Sequence, residues 1–251
     1  MTDAAAISQA WSILPFLGES VRDELFHRPT PLLRWRGALL KLELLRPSGG
    51  VDDRALEIFP HLARDTRASF SGTGGAALAA AAWALARHVQ LTVALEGPVT
   101  YEVRETLKLY RATVGSGGVP LPRLDGAEAA RAMERMLAGE LPAAPAAIVA
   151  PAGASAALRG CVRVLRPPRA VALVAADEEL PDLPRIVDLP GVELRKVTRA
   201  ECARARAELA RTAGVLASHA SAMAALVAAE LGALAIVSAS GEREFSLELP
   251  A

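Results

Sequence analysis

The sequence contains few residues that could form cross-links or metal sites. It has two cysteines, Cys161 and Cys202, and four histidines among 251 residues. Two cysteines are too few for a disulfide framework and are typical of a reducing cytoplasm, so we expect both to be small buried helix residues. The histidines have no ligand-like spacing with one another or with the cysteines. We therefore predict no metal site.

The chain also lacks an excess of charge, a long apolar run and a secretory signal. Basic and acidic side chains number 28 each, which predicts no binding to nucleic acid or to an anionic membrane. The alanine-rich run at residues 76–86 is too short to span a bilayer. The first residues, M-T-D-A-A-A, have neither the basic start nor the apolar stretch of a signal peptide. The sequence thus predicts a cytoplasmic protein without membrane contact.

Short β-branched runs alternate with longer segments rich in alanine, leucine and arginine. This alternation indicates parallel βαβ units and an α/β fold, and continuous apolar strands are typical of a sheet covered on both faces. The predicted strands are 91–95, 147–150, 170–175, 192–197 and 234–238. The predicted helices are 52–64, 75–87, 101–110, 127–138, 155–165, 199–212 and 221–231.

Three small-residue turns precede predicted helices, at residues 47–50, 71–75 and 151–155. The start of a helix presents free N–H groups and a partial positive charge, and glycine lets an anion approach them, so each turn is a candidate anion site. None fits the dinucleotide fingerprint or the P-loop, and a simple structural turn is the alternative for each. The candidate ligand-binding residues are Ser71, Gly72, Thr73, Gly74, Gly75, Gly153 and Ser155.

The order of these motifs resembles that of the fold-type-II enzymes that use pyridoxal phosphate (PLP), such as cysteine synthase, threonine dehydratase and the tryptophan synthase β subunit. The residues that carry the resemblance are T-P-L at 30–32, K-L-E at 41–43, P-S-G-G-V-D-D-R at 47–54, S-G-T-G-G at 71–75, the small-residue turn from 151, and G-V-L-A with A-S-A at 214–222. The resemblance extends from about Pro29 to the end of the chain.

This resemblance implies two subdomains, each a mainly parallel sheet flanked by helices, with a cleft between them. The smaller subdomain is expected at about 41–141, and the larger one at about 1–40 plus 142–251. In the family, the turn at 71–75 holds the substrate carboxylate, the turn from 151 holds the cofactor phosphate, and a residue at the position of Ser221 meets the pyridine nitrogen. A homodimer is also implied.

The departures from the family pattern decide the expected function. Asp52 stands where the family has the lysine that forms a Schiff base with PLP, and a carboxylate cannot form an imine. The chain contains only Lys41, Lys108 and Lys196, each of which we expect to be a solvated surface residue. Thr73 replaces an asparagine, alanines replace most glycines of the phosphate turn, and a further turn position holds arginine.

The leading hypothesis is a catalytically inactive relative that acts as a structural, regulatory or partner subunit, with no covalently bound cofactor, although PLP binding stays possible. A catalytic paralogue is a possible partner. The alternative is an enzyme, a PLP-dependent-like lyase or synthase or one that handles a small carboxylate or phosphate. A third hypothesis is a working PLP enzyme whose lysine is Lys41. Asp52 and Asp53 could act as acid and base, but their simpler interpretation is as complements of a helix dipole. His219 beside Ser218 and Ser221 could suggest a nucleophile pair, but its simpler interpretation is as a residue at a helix start.

Overall fold

The computed structural model describes residues 28–97, 99–141, 145–175 and 191–241. Within these ranges the chain forms ten strands and six α-helices. The strands are β1 Leu32–Trp35, β2 Ala38–Lys41, β3 Arg67–Gly72, β4 Gln90–Leu95, β5 Thr113–Val114, β6 Val119–Pro120, β7 Ala147–Pro151, β8 Arg169–Ala175, β9 Val192–Val197 and β10 Leu234–Ile236. The helices are α1 Gly74–Ala86, α2 Tyr101–Leu109, α3 Ala127–Ala138, α4 Ser155–Leu165, α5 Arg199–Ala213 and α6 His219–Leu231.

One compact unit contains Pro29–Leu44 and Met133–Gly241 and is built on a six-stranded sheet of order β1-β2-β10-β7-β8-β9. The β1–β2 pair is antiparallel, and every other pairing in this sheet is parallel. Arg36 and Gly37 join β1 to β2, and both have positive φ, as a two-residue hairpin turn of matching twist requires. The central strands β7 and β10 are fully buried, as expected of parallel strands covered on both faces.

The other compact unit contains Leu45–Ala132 and is built on a four-stranded parallel sheet of order β5-β4-β3-β6. Helix α1 packs against this sheet with ten buried residues, eight of which are alanine. Alanine side chains allow the helix backbone to approach the strands closely. Phe59, Phe70 and Trp83 add an aromatic cluster. The ring centroid of Phe59 lies 6.0 Å from that of Phe70 and 5.0 Å from that of Trp83.

The predicted fold class is confirmed, since both sheets are mainly parallel and alternate with helices. Helices 127–138 and 155–165 and strand 192–197 have the predicted bounds. The bounds predicted for the two subdomains stay a prediction, and residues 1–27 of the larger one lie outside the described ranges. Among the described residues no helix is long and apolar enough to cross a membrane. Both cysteines are buried in helices, as predicted.

One predicted helix needs correction, and five strands, β1, β2, β3, β5 and β6, are not among the predicted ones. The α-helix expected at 52–64 is a shorter 3-10 helix, Val51–Ile58. It ends there because Phe59 precedes Pro60, whose ring disfavours the helical conformation in the residue before it, and Phe59 has extended φ and ψ of −72° and 138°. Strand β3 was not predicted, since its sequence R-A-S-F-S-G contains no continuous apolar run. Only its alternating burial, with Ala68, Phe70 and Gly72 inside, marks it as a strand.

Candidate functional site

The segment that carries Asp52 is fixed by hydrogen bonds inside its own unit. The Ser48 backbone N–H donates to the Asp53 carboxylate at 2.8 Å, and the Tyr110 hydroxyl donates to the Pro47 carbonyl at 3.2 Å. Asp52 is half-buried and, with Asp53, lies in the first turn of the 3-10 helix. Asp53 is 2% exposed and Arg54 is fully buried. A carboxylate therefore already accepts one N–H of this turn, which the sequence presented as a candidate anion site.

Lys41 is not the surface residue that its sequence context predicted. Its side chain is 1% exposed, and its ammonium group contacts the Glu140 carboxylate at 2.5 Å and donates to the Thr30 carbonyl at 2.6 Å. The Thr30 hydroxyl in turn donates to Glu43, which is fully buried, at 2.6 Å. The prediction was wrong because β2 lies inside the six-stranded sheet, where a charged group must have an ionic partner. Glu140 supplies that partner from a position 99 residues away.

The two remaining lysines are exposed, as predicted. Lys108 lies on α2 with a side chain 71% exposed and contacts Glu105 at 2.6 Å. Its hydrogen bond with the Glu105 carboxylate raises the pKa of the Lys108 ammonium. Lys196 is exposed on the edge strand β9. A nucleophilic lysine needs a lowered pKa, which a desolvated site or a neighbouring cation provides, and the Glu105 carboxylate beside Lys108 acts in the opposite direction.

The second glycine-rich turn joins the carboxyl end of β3 to the start of α1. Ser71 and Gly72 end the strand, Thr73 precedes the helix and Gly74 begins it, followed by Gly75. The Thr73 side chain makes no capping hydrogen bond and the first turn of α1 has no acidic residue, so no side chain of the turn itself caps the helix. The predicted position of the turn between a strand and a helix is confirmed, and its binding of an anion stays a prediction.

A charged side chain stands beside this turn that sequence reasoning did not identify. Glu96 follows β4, and its backbone N–H donates to the Gly72 carbonyl at 2.9 Å. Its carboxylate accepts a hydrogen bond from the Ser71 hydroxyl at 2.8 Å and two from Arg123, at 2.6 Å and 2.9 Å. Arg123 also contacts Asp125 at 2.7 Å. These hydrogen bonds, first that of Arg123 and then that of Ser71, lower the pKa of Glu96.

Glu96 could have been noticed from one signal. A charged residue directly after a parallel strand lies at the carboxyl edge of the sheet, which is the edge where α/β folds bind ligands. Its partner Arg123 carries no comparable signal, since it follows a two-residue strand, β6, that has no apolar pattern of its own.

The third turn, between β7 and α4, retains little of a phosphate site. Residues 152–154 form a 3-10 helix, and no side chain caps the start of α4. A Cβ on Gly153 would have no atom within 4 Å, so packing does not require glycine there. Ser155 is 4% exposed, and the methyl groups of Ala156 and Ala157 are buried in the protein. Ala156 and Ala157 thus belong to the core, and the roles of Gly153 and Ser155 as ligand contacts stay predictions.

Ser221 is fully buried, and its hydroxyl is engaged inside the protein. It accepts hydrogen bonds from the backbone N–H groups of Ser238 and Ala239 at 3.1 Å and 3.2 Å, and from the Ser218 hydroxyl at 2.9 Å. Its oxygen also lies 3.2 Å from the Ser238 hydroxyl. Ser218 caps α6, so His219 is the first residue of that helix, as its structural interpretation predicted. The role of Ser221 as a ligand contact stays a prediction.

The residues predicted to bind a ligand fall into two groups. Ser71, Gly72, Thr73, Gly74 and Gly75 lie together at one edge of the four-stranded sheet, with Asp52 in the same unit. Gly153, Ser155 and Ser221 belong to the unit with the six-stranded sheet. In the first unit, the turn at 71–75 lies at the carboxyl end of β3, and the side chains of Ser71 and Thr73 are exposed there.

Comparison with known proteins finds likeness in solved structures alone. No protein-family model and no curated protein matches the chain. O-ureido-L-serine synthase superposes with a TM-score of 0.76 at 19% identity, covering 92% of this chain and 94% of that one. A variant of the same enzyme, with one lysine replaced by alanine and bound to O-ureido-L-serine, gives 0.74 at 18% identity over 92% of each chain.

A second enzyme has the same likeness. The O-acetylserine-dependent cystathionine beta-synthase from Helicobacter pylori superposes with a TM-score of 0.71 at 17% identity, covering 90% of this chain and 96% of that one. These structures have the fold of fold-type-II PLP enzymes, which confirms the fold that the motifs predicted. At such low identity the likeness establishes the fold alone. The activity has to be inferred from the residues of the site.

Proposed function

We propose that this chain is a catalytically inactive relative of the fold-type-II PLP enzymes that serves as a structural, regulatory or partner subunit. The observation that carries the proposal is the position and environment of the three lysine side chains. Asp52 takes the motif position of the Schiff-base lysine, and Lys41 is buried in an ion pair. The other two lysines are exposed to solvent. No lysine of the chain therefore combines an accessible amine with a site that would activate it.

The residues present do not fit a covalently held PLP. Imine formation requires an uncharged amine, and the Glu140 carboxylate beside Lys41 stabilises the charged ammonium. The turn at 151–155 keeps Gly153 but has lost most of the glycines that would let a phosphate approach the backbone, and the buried methyl groups of Ala156 and Ala157 stand in their place. The family resemblance also supports a homodimer as part of this proposal, and a catalytic paralogue as a possible partner.

The test is incubation with PLP followed by an absorbance scan, borohydride reduction and mass spectrometry. We expect no imine band and no stoichiometric label on any lysine. A variant with Lys108→Arg and Lys196→Arg serves as the control, because it removes adventitious labelling of exposed amines and leaves Lys41. A borohydride-sensitive band with one labelled lysine in the native protein would contradict the proposal, and a label on Lys41 would favour the working-enzyme hypothesis.

A second candidate function is binding of a small carboxylate or phosphate at the turn 71–75. The start of α1, which lacks a side-chain cap, favours it, since free N–H groups and the helix dipole attract anions. A ligand that binds the native state raises the temperature of unfolding. Thermal-shift measurements with inorganic phosphate, acetate, PLP and amino acids test this candidate, and the absence of stabilisation by all of them counts against it.

A further inference from the structure

A small pocket lies between the end of the 3-10 helix Val51–Ile58 and the carboxyl end of α1, and its volume is about 190 Å³. Phe59, Leu62 and Trp83 are part of its apolar lining. The rings of Phe59 and Trp83 meet edge to face, with their centroids 5.0 Å apart. An apolar cavity of about 150 Å³ holds one benzene molecule, so this pocket accepts an apolar group of a few carbon atoms and is too small for a nucleotide.

Trp83 brings to this pocket a hydrogen-bond donor that the protein does not use. The residue is 8% exposed, and its indole N–H has no acceptor within the part of the chain that the structure describes. The nitrogen is not enclosed by protein atoms, so it can be reached from the solvent. Trp35, which is 7% exposed, instead donates its indole N–H to the Thr212 hydroxyl at 3.1 Å. A buried indole N–H usually has such a partner, and a ligand in the pocket could supply it for Trp83.

Glu57, His61 and Arg87 also line the pocket and give it side chains of both charges. His61 is exposed, and its imidazole makes no hydrogen bond to any of the described residues. A ligand carboxylate accepts hydrogen bonds from guanidinium, imidazole and indole N–H groups, whereas a ligand ammonium group pairs with a carboxylate such as that of Glu57. The lining is therefore complementary to a zwitterion with a short apolar body.

We propose that this pocket binds a small apolar amino acid in its zwitterionic form. The side chain of the ligand packs on the two aromatic rings. Its carboxylate accepts hydrogen bonds from Arg87 and from the Trp83 N–H, and its ammonium group pairs with Glu57. Helix α1 has 13 residues, so the pocket lies about 20 Å along the helix from the turn 71–75. The proposal depends neither on imine formation nor on anion binding at that turn.

Calorimetric titration of the full chain with L-leucine and with three analogues tests the proposal. Each analogue lacks one part of the ligand: 4-methylpentanoate lacks the ammonium group, 3-methylbutylamine lacks the carboxylate, and glycine lacks the apolar side chain. We expect each to bind at least about tenfold more weakly than L-leucine. L-leucine is also expected to shift the indole N–H resonance of Trp83, which is identified by its loss in Trp83→Phe.

Two charge variants assign the two ends of the ligand. Arg87→Gln is expected to weaken binding of L-leucine and of 4-methylpentanoate about tenfold and to leave 3-methylbutylamine unchanged. Glu57→Gln is expected to weaken L-leucine and 3-methylbutylamine and to leave 4-methylpentanoate unchanged. Trp35→Phe is the matched control, because it removes an indole N–H that is already bound inside the protein, and its affinity is expected to equal that of wild type. Melting temperatures without ligand show which variants are folded.

The analogue series needs no variant and decides the proposal in the wild-type protein. Absence of L-leucine binding overturns the proposal, as does any analogue that binds as tightly as L-leucine. A shift confined to a different indole resonance places the ligand elsewhere and also overturns it. So does a loss of affinity in Trp35→Phe as large as that in Arg87→Gln.

Discussion

Lys41 and Glu140 form an ion pair in which both partners have left water almost completely. Their side chains are 1% and 12% exposed, and the Thr30 carbonyl supplies a further acceptor to the ammonium. A pair of this kind contributes little relative to an apolar pair of the same shape, yet the loss of one partner leaves an uncompensated buried charge. Lys41 therefore has a structural role in this buried pair.

Replacement of Lys41 by methionine is expected to lower the free energy of unfolding by about 3 kcal/mol, because Glu140 then remains buried without its cation. Urea denaturation measures the loss. The double variant Lys41→Met/Glu140→Leu is expected to recover part of it, and Lys108→Met, which removes an exposed lysine, to change stability by less than about 0.5 kcal/mol. A change below about 1 kcal/mol in Lys41→Met would contradict the buried-pair assignment.

Glu96 makes the stability of the fold depend on pH, and the sign of this dependence follows from the lowered pKa of its carboxyl group. A carboxyl group with a folded-state pKa below its usual value stabilises the fold above its unfolded pKa, and this contribution disappears as the pH falls through the folded value. At pH 7 the variant Glu96→Gln is expected to be less stable than wild type by no more than about 1 kcal/mol, since the pair is exposed. In acid the two melting temperatures should converge; a difference that persists or grows there would refute this account.

At the scale of elements, helices α5 and α1 differ in how their N-termini are capped. Helix α5 begins with a capping box, in which the Thr198 hydroxyl accepts from the Glu201 N–H at 3.2 Å and the Glu201 carboxylate accepts from the Thr198 N–H at 2.7 Å. Helix α1 begins without a side-chain cap, although Thr73 stands at the same position relative to its helix. The first turn of α5 therefore has a side-chain acceptor from its N-cap residue, and the first turns of α1 and α4 have none from theirs.

The capping box predicts a measurable contribution. Thr198→Ala is expected to reduce stability by about 1 kcal/mol, because the first turn of α5 loses the acceptor for its N–H groups. Thr198→Ser keeps the hydroxyl and should retain most of the stability, and Thr73→Ala, where no cap bond exists, should change it by only a few tenths of a kcal/mol. Urea denaturation of the three variants checks the order, and an equal cost at both threonines would contradict it.

Asp52 lies in the first turn of the 3-10 helix Val51–Ile58, and a lysine placed there tests whether one substitution is enough for imine formation. Asp52→Lys is expected to give no imine band with PLP, because the turn at 151–155 still lacks most of the glycines that hold the cofactor phosphate in the family it resembles. An absorbance scan before and after borohydride reduction measures this. Appearance of a reducible band in Asp52→Lys, absent in the charge control Asp52→Arg, would mean that one substitution alone separates this chain from the chemistry of its fold relatives.

At the scale of the whole molecule, the fold resemblance predicts self-association. Light scattering coupled to size-exclusion chromatography should give twice the mass of one chain at micromolar concentration. A single-chain mass that persists over a hundredfold range of concentration would remove the homodimer from the proposed function and favour a different partner.

Much of the architecture was predictable because it depends on local patterns. The apolar run at 147–151, the segment V-E-L-R-K-V at 192–197 with its three β-favouring apolar residues, and the periodic helix 155–165 can be recognised locally, and their alternation implies parallel pairing. Strand β3 was not legible, since its polar and apolar residues alternate in a stretch that also reads as a loop. The shortening of the helix at 52–64 was recoverable from Pro60 alone.

The sequence by itself determined how few lysine amines the chain has. That it contains only three lysines, and that Asp52 stands in the segment that resembles the family's cofactor-lysine motif, are facts of sequence that no folding can alter. Tertiary structure alone decided where the remaining charges act. Lys41 meets Glu140 over 99 residues, and Glu96 meets Ser71 over 25 and Arg123 over 27. Such pairings depend on which strands become neighbours, and charged side chains show no local periodicity that announces their partner.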